Sequence, residues 1–318
     1  MAATRNDPNA VLKDLTLIVE QTVAQTRPNL HPLICSQKEA DGAYTRIPIA
    51  ANVAMPRKFE GKRSVQGKDI TVVPNYSQGT YELTIGLDAD LLFDSHAYDA
   101  SDIVSEAAMS AVQFPDYMTS ELVINGSASL AYDNVDFYAT AGHSYAATGI
   151  NPFGNAFANT GQSLTSLAAD FQTAIGKIKS VKDNAGRLLN QQAKYGASDL
   201  LIQAPVGLEM PFRALLNNAF APVSAPVTTS GTAAVTSSNI FVGMADLYVD
   251  GYLTGNSWYL HYISRPQRPF VFIEDYPMVV QVIGLDSEHC KKNNEVLICI
   301  KHRFVLGYYR TDRSIKVI

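Results

Sequence analysis

The segment 99–126, DASDIVSEAAMSAVQFPDYMTSELVING, has the clearest helical pattern in the chain. Its apolar residues are mostly small and recur at helical spacing, which predicts a helix with a narrow packing seam of Ile103, Val104, Ala107, Ala108, Ala111 and Val112. Asp99 stands at the expected N-cap, and Asp102 at N3 suits the helix dipole. Pro115 predicts a break or kink, after which a second helical stretch runs to Gly126.

Strand patterns precede this helix. Residues 80–87, TYELTIGL, alternate between apolar and polar side chains, as a half-buried strand does. The stretch before it, 55–79, is basic, contains glycine and nearly lacks branched aliphatic residues until Ile70. A long segment with so little to bury is usually functional when it lies inside a compact protein. We therefore predict a β-hairpin arm that projects from the body.

The rest of the chain mixes both kinds of element. Helical periodicity predicts helices over 8–26 and 164–181, and a third helix opening at Pro205 after the apolar strand 199–204. Residues 221–239 are low in complexity and predict a mobile loop. Three strands follow it, and residues 295–318 predict a closing strand pair. No internal repeat is found, so the pattern indicates an α+β fold.

Composition excludes several classes of protein. The 318 residues are 47% hydrophobic and 17% charged, with a formal net charge of −5, which is typical of a globular protein rather than a fibrous or disordered one. No apolar run approaches the roughly 20 residues of a membrane span. The N-terminus lacks the pattern of a secretory signal. Three scattered cysteines form neither a disulfide framework nor a metal cluster, so a reducing compartment is expected.

The charges are strongly segregated. Residues 69–176 hold thirteen acidic residues and neither Lys nor Arg. Residues 57–68 hold five basic residues and one acid, and residues 288–318 hold seven basic residues and three acids. A block of one sign is often only a solvated face, but opposite blocks can also steer copies of a chain together. An acidic surface argues against tight binding of nucleic acid.

No catalytic or metal-binding motif appears. The chain has no phosphate-binding or dinucleotide-binding glycine loop, no zinc-protease helix and no nucleophile elbow. Its six histidines have no ligand spacing, and those in apolar strands, His261 and His302, are expected in the core or at an interface. Asp88, Asp90 and Asp94 lack the pattern of a calcium loop. We predict no catalytic, cofactor-binding or metal-binding residue, and no enzyme.

The order of parts resembles the major capsid proteins of tailed bacteriophages, which share the Hong Kong 97 fold. More narrowly it is similar to the Mu-type major head subunit family. The stretches that carry the likeness are the arm and return strand at 55–95, the long helix with its internal proline at 102–126, DLLIQAPVGLEMPFRALLNN at 199–218, SWYLHYISRPQRPFVFIEDYP at 257–277, and RFVLGYYRTDRSIKVI at 303–318.

The resemblance implies a structural protein that self-assembles into the pentamers and hexamers of an icosahedral shell. The shell would enclose double-stranded DNA without sequence-specific binding, and would be assembled in the host bacterial cytoplasm as part of the virion. Portal and scaffolding proteins would be partners, with a decoration or cement protein as a further one. No cofactor and no membrane are implied.

The family's organisation implies five segments. They are an N-terminal arm and helix (1–43), an extension β-arm (44–93), a peripheral domain with a long spine helix (94–190), an axial domain (191–284) and closing strands of the peripheral domain (285–318). The arm would lie over a neighbouring subunit. Because its charge is opposite to that of the acidic block, we predict inter-subunit contacts from Arg57, Lys58, Lys62, Arg63 and Lys68 to an acidic face containing Asp99, Asp102 and Glu106.

Two other functions stay open at this point. An encapsulin-like compartment would use the same fold to enclose proteins rather than DNA. A soluble hydrolase with an unrecognised active site is the third hypothesis. The contents of an assembled particle distinguish the first two, and the absence of any particle would favour the third.

Overall fold

The computed structural model describes residues 8–42, 44–52, 69–72, 74–90, 97–145, 151–183, 186–191, 193, 196–222, 236–264 and 267–318. Its helices are α1 (Pro8–Gln25), α2 (His31–Ile34), α3 (Ala97–Ile124), α4 (Leu164–Ser180), α5 (Glu209–Asn217) and α6 (Glu288–Asn293). Its strands are β1 (Cys35–Glu39), β2 (Tyr44–Arg46), β3 (Ile49–Asn52), β4 (Asp69–Val72), β5 (Asn75–Ser77), β6 (Gly79–Asp88), β7 (Ala156–Phe157), β8 (Leu200–Pro205), β9 (Phe220–Pro222), β10 (Thr236–Ser238), β11 (Asp246–Asp250), β12 (Trp258–Tyr262), β13 (Phe270–Ile283), β14 (Glu295–Tyr308) and β15 (Ser314–Val317).

The long helix α3 is continuous through Pro115, so the predicted break is wrong, whereas the helical stretch predicted after it is confirmed as the second half of α3. Its 28 residues form one element. An internal proline costs a helix about 3 kcal/mol, and packing on both sides of it offsets that cost, since Val112, Thr119 and Val123 are buried. The hydroxyl of Thr119 donates to the carbonyl of Pro115 at 2.7 Å, within the same helix.

A four-stranded sheet supports α3. Its order is β1-β13-β14-β6, with β1 parallel to β13 and the other neighbours antiparallel. α1 and α3 cover one face, where Leu15, Val19, Val104 and Ile298 are buried together. The alternation predicted for β6 is confirmed by its alternating burial.

A five-stranded sheet forms the second half of the core. Its order is β11-β8-β12-β15-β7. All six residues of β8 are buried, as its apolar run predicts. α4 and α5 pack against this sheet through a cluster that includes Phe171, Phe212 and Trp258. The rings of Phe212 and Trp258 meet edge to face with centroids 5.0 Å apart.

The predicted closing strand pair is wrong, because its two strands lie in different sheets. β14 pairs with β13 and β6, whereas β15 pairs with β12 and β7. The chain crosses between the sheets at a one-turn helix, Thr311–Arg313. Thr311 and Asp312 are fully buried there, so the crossing belongs to the core rather than to a surface turn.

Only the base of the hairpin predicted before β6 is described, and it packs on the body, so the projecting arm stays a prediction. β2 pairs with β5 and β3 with β4, both antiparallel. Ile47, Ile49 and Tyr76 are buried with Val271 and Ile273 of β13. The basic stretch between Asn52 and Asp69 lies outside the described residues.

The absence of a side chain at Gly307 lets the base of this hairpin pack closely against β14. A Cβ added at Gly307 would overlap the ring of Tyr76, whose hydroxyl donates to the carbonyl of Tyr308 at 2.6 Å. We expect Gly307→Ala to push this ring away and to lower the free energy of unfolding by about 1–3 kcal/mol. Urea denaturation would measure it.

The matched control for Gly307→Ala is Gly176→Ala, in α4. A Cβ there meets nothing within 4 Å. Because alanine favours the helix, this variant should gain about 0.5–1 kcal/mol. Equal effects of the two substitutions would contradict the account of Gly307.

Candidate assembly surface

The first half of α3 presents the acidic side chains predicted to contact a neighbour. Asp102 and Glu106 are exposed and lie one helical turn apart. Ile103 and Met109 on the same part of the helix are also exposed, at 53% and 38%. α3 begins at Ala97, so Asp99 lies in the first turn rather than at the predicted N-cap; its side chain is outside the described residues.

The basic candidates lie in a part of the chain that is not described. Arg57, Lys58, Lys62, Arg63 and Lys68 all fall within 53–68. Their contact with Asp102 and Glu106 therefore stays a prediction.

The acidic block of the sequence is not one surface. Asp116 is buried and accepts hydrogen bonds from the backbone N–H groups of Asn29, Leu30 and His31, at 2.6, 3.1 and 2.8 Å. Burial opposes ionisation, but the hydrogen bonds from the His31 ring and from the backbone of His31 and Asn29 hold the pKa of Asp116 below its usual value. The carboxylate thus fixes the chain before β1 to the middle of α3.

Other acidic residues of the block also make contacts within the subunit. Asp170 is buried and accepts from the hydroxyl of Thr160 at 3.0 Å. Asp133 lies 2.8 Å from the ring of His143. Among the described acids of the block, this leaves a smaller exposed set, namely Glu82, Asp88, Asp90, Asp102 and Glu106.

A pocket of about 270 Å³ lies between α3 and the four-stranded sheet. Its walls are mainly apolar and come from Tyr81, Leu83, Ala111, Phe114, Met278 and Ile300, with Glu82, Ser110 and His302 completing the lining. Ser110, which lines the pocket, lies one helical turn after Glu106. The carboxylate of Glu106 is therefore next to the apolar pocket. Such a face suits a protein partner that offers basic and apolar side chains together.

A buried ion pair fixes the crossing between the two sheets. Arg310 donates to both carboxylate oxygens of Asp312, with distances of 2.8 and 3.2 Å. The hydroxyl of Tyr145 and the side-chain amide of Asn190 donate to the same carboxylate. Burial alone would raise the pKa of Asp312, but the charge and hydrogen bonds of Arg310 hold it well below its usual range. No motif in the sequence marks this cluster; its only signal is that charged residues interrupt the apolar pattern between β14 and β15.

The described residues contain no cluster of three or more His, Cys, Asp or Glu side chains arranged to hold a metal ion. Asp88 and Asp90 instead accept from the side-chain amide of Asn294, at 3.0 and 2.9 Å, and Asp94 lies outside the description. His261 is fully buried, which confirms its predicted place in the core. None of the described helices combines the length and the hydropathy that crossing a bilayer requires.

Comparison with known proteins identifies the fold through structure alone. No protein-family model matches the sequence, and no curated protein sequence matches it. The structure is similar to the procapsid of bacteriophage JBD30, with 14% identity and a TM-score of 0.53 over 96% of this chain and 74% of that chain. It is also similar to the capsid of cyanophage P-SCSP1u, with 11% identity and a TM-score of 0.51 over 92% and 88% of the two chains.

A third similar structure is a virus-like particle from Pyrococcus furiosus. The identity is 10% and the TM-score 0.55, over 96% of this chain and 98% of that chain. These likenesses show the Hong Kong 97 fold and confirm the predicted α+β class.

Proposed function

We propose that this chain is the structural subunit of an icosahedral shell, the major capsid protein of a tailed bacteriophage. The observation that carries the proposal is the fold shared with a phage procapsid over 96% of the chain. The subunit would act by binding copies of itself in pentamers and hexamers, and not by catalysis. The finer assignment to the Mu-type major head family rests on the sequence stretches quoted above.

The five segments inferred from the sequence are part of this proposal. Residues 1–43 and 44–93 would be the two arms, 94–190 with 285–318 the peripheral domain, and 191–284 the axial domain. α4 and β15, assigned to the peripheral domain, pack against β8 and β12 of the axial domain. The two domains would therefore move as one core.

The proposed partners follow from the shell. The arm of one subunit would lie on the acidic face of the next, and double-stranded DNA would be enclosed without sequence-specific contacts. Portal and scaffolding proteins, and a decoration or cement protein, would join the virion during assembly in the host bacterial cytoplasm. The exposed acids of α3 support the first of these contacts, since their charge is opposite to that of the arm.

Expression of the chain in bacteria tests the proposed function directly. We expect closed particles by negative-stain electron microscopy, and a sedimentation coefficient far above that of a 34.6 kDa monomer. Co-expression with the products of neighbouring genes would supply any scaffolding protein that assembly requires. A compact monomer under every solution condition would overturn the proposal.

An encapsulin-like compartment is the alternative. It is favoured by the match in length with the virus-like particle, since 96% of this chain aligns with 98% of that one. Particle contents separate the two functions. Nucleic acid and a portal vertex would support the phage capsid, and a defined protein cargo without a portal would support the compartment.

A further inference from the structure

A chain of hydrogen-bonded side chains runs through the protein where α3 meets the five-stranded sheet. In order, it comprises Tyr138, Ser314, His261, Gln203, Asp250 and Ser120. The successive donor–acceptor distances are 2.7, 3.0, 2.9, 2.6 and 2.7 Å. All six residues are buried, with exposures of 4% or less.

The partners determine the direction of every hydrogen bond. The amide nitrogen of Gln203 donates to the carboxylate of Asp250, so its carbonyl oxygen accepts from Nε2–H of His261. Because burial lowers the pKa of His261, the ring is neutral at pH 7, and Nδ1 accepts from the hydroxyl of Ser314. The oxygen of Ser314 accepts in turn from Tyr138, whose burial raises its pKa well above the usual value and keeps the phenol protonated.

Asp250 is the common acceptor that joins Gln203 to Ser120. One carboxylate oxygen accepts from both Gln203 and Ser120, and the other accepts from the backbone N–H of Tyr252 at 2.9 Å. Ser120 belongs to α3, whereas Gln203, His261 and Ser314 belong to β8, β12 and β15. Since Asp250 belongs to β11, the hydrogen bonds join the C-terminal half of α3 to four strands of the five-stranded sheet.

Such a connection differs from the apolar packing around it. Apolar side chains can be exchanged for others of similar volume at modest cost. A buried polar network is stable in one arrangement, because any displacement leaves a donor or an acceptor unpaired.

We propose that this chain of hydrogen bonds is a latch that fixes the angle between α3 and the five-stranded sheet, and thereby the curvature of the assembled shell. The inference rests on the proposed function. Subunits with a broken latch would still fold and assemble, but neighbouring subunits would meet at more varied angles.

Ser120→Ala tests the latch where it reaches α3. We expect particles whose diameters, measured by cryo-electron microscopy, spread at least twofold more widely than those of the wild type. The matched control is Thr119→Val, because Thr119 is equally buried and its hydroxyl bonds to a carbonyl of its own helix. Ser120→Ala shells as uniform as the wild type would overturn the inference.

The protonation of His261 gives a second test that does not need assembly. Nitrogen-15 magnetic resonance of the wild-type protein, with the signal assigned by its loss in His261→Gln, should show a neutral ring protonated on Nε2 at pH 7. A cationic ring or a proton on Nδ1 would overturn the assigned directions. Failure of the wild type to form any particle would instead contradict the proposed function, and this measurement would still apply to the unassembled chain.

Acid should destabilise the folded chain through His261. The groups that face His261 are Gln203, Ser314 and the rings of Tyr259 and Phe270, with the charge of Asp250 beyond Gln203. Burial lowers the pKa of His261 to about 3. Since this lies below the value of about 6.5 in an unfolded chain, stability falls as the pH drops below 6.5.

The size of this acid effect follows from linkage. Between pH 7 and pH 5 the contribution of His261 should reduce the folding equilibrium constant about 25-fold. His261→Gln has no ring to protonate, so denaturation at the two pH values should show a correspondingly smaller change in this variant. An equal change in both proteins would contradict the assigned state of His261.

Discussion

Replacing Asp312 with alanine should lower the free energy of unfolding by about 3–5 kcal/mol, which is the usual cost of leaving one member of a buried ion pair without its partner. Arg310 would keep its charge in the core, because it is buried and no other carboxylate in the described structure bonds to it. We expect mostly insoluble protein at 37 °C. Urea denaturation of whatever remains soluble would give the size of the loss.

A surface pair provides the control for Asp312→Ala. Lys292 and Glu288 lie 2.5 Å apart on α6, and both side chains are more than half exposed. Lys292→Ala should change the free energy of unfolding by no more than about 1 kcal/mol. A loss below 1 kcal/mol in Asp312→Ala would show that the buried cluster does not hold the crossing between the sheets.

A double-mutant cycle separates the pair from its surroundings. Arg310→Met alone leaves the carboxylate of Asp312 with Tyr145 and Asn190 as donors. The double variant Arg310→Met, Asp312→Ala should therefore lose less stability than the sum of the losses in Arg310→Met and Asp312→Ala, because neither charge remains buried alone. Additive losses would contradict a direct interaction between the two side chains.

The sequence predicts those elements whose pattern comes from one buried face. The alternation in β6 and the continuous apolar run in β8 identify both strands, because burial itself produces these patterns. α4 follows from its apolar spacing and is capped by Ser163, whose side chain accepts from the backbone N–H of Ser166. The hairpin base follows from turn residues and alternation in the same way.

The errors arise where distant residues decide the structure. Pro115 normally ends a helix, yet burial of its neighbours by other elements keeps α3 continuous. The split between β14 and β15 depends on a turn stabilised by Asn190, more than 100 residues away in the chain. The charge count along the sequence suggests one acidic face, but it cannot show that Asp116 and Asp170 are buried among partners.

The second large effect is expected from charge reversal in the extension β-arm. Reversing Arg57 and Lys58 to Glu should prevent shell assembly at physiological salt while leaving the subunit folded. Each exposed ion pair contributes only about 0–1 kcal/mol, but every subunit of a shell would repeat the contact, so a small loss per contact accumulates. The measurement is the fraction of protein in particles after density-gradient sedimentation, with circular dichroism as the check on folding.

Lys291→Glu with Lys292→Glu is the matched control, since it makes the same change of charge at two exposed positions of α6. Shells of this control variant should form normally.

A stricter test combines the arm reversal with Asp102→Lys and Glu106→Lys on α3. If the arm of one subunit binds the acidic face of the next, the exchanged charges restore attraction and particles should return. If the arm reversal alone still gives particles, the electrostatic contact is contradicted. If the combined variant fails to assemble, the arm binds a surface other than the one formed by Asp102 and Glu106.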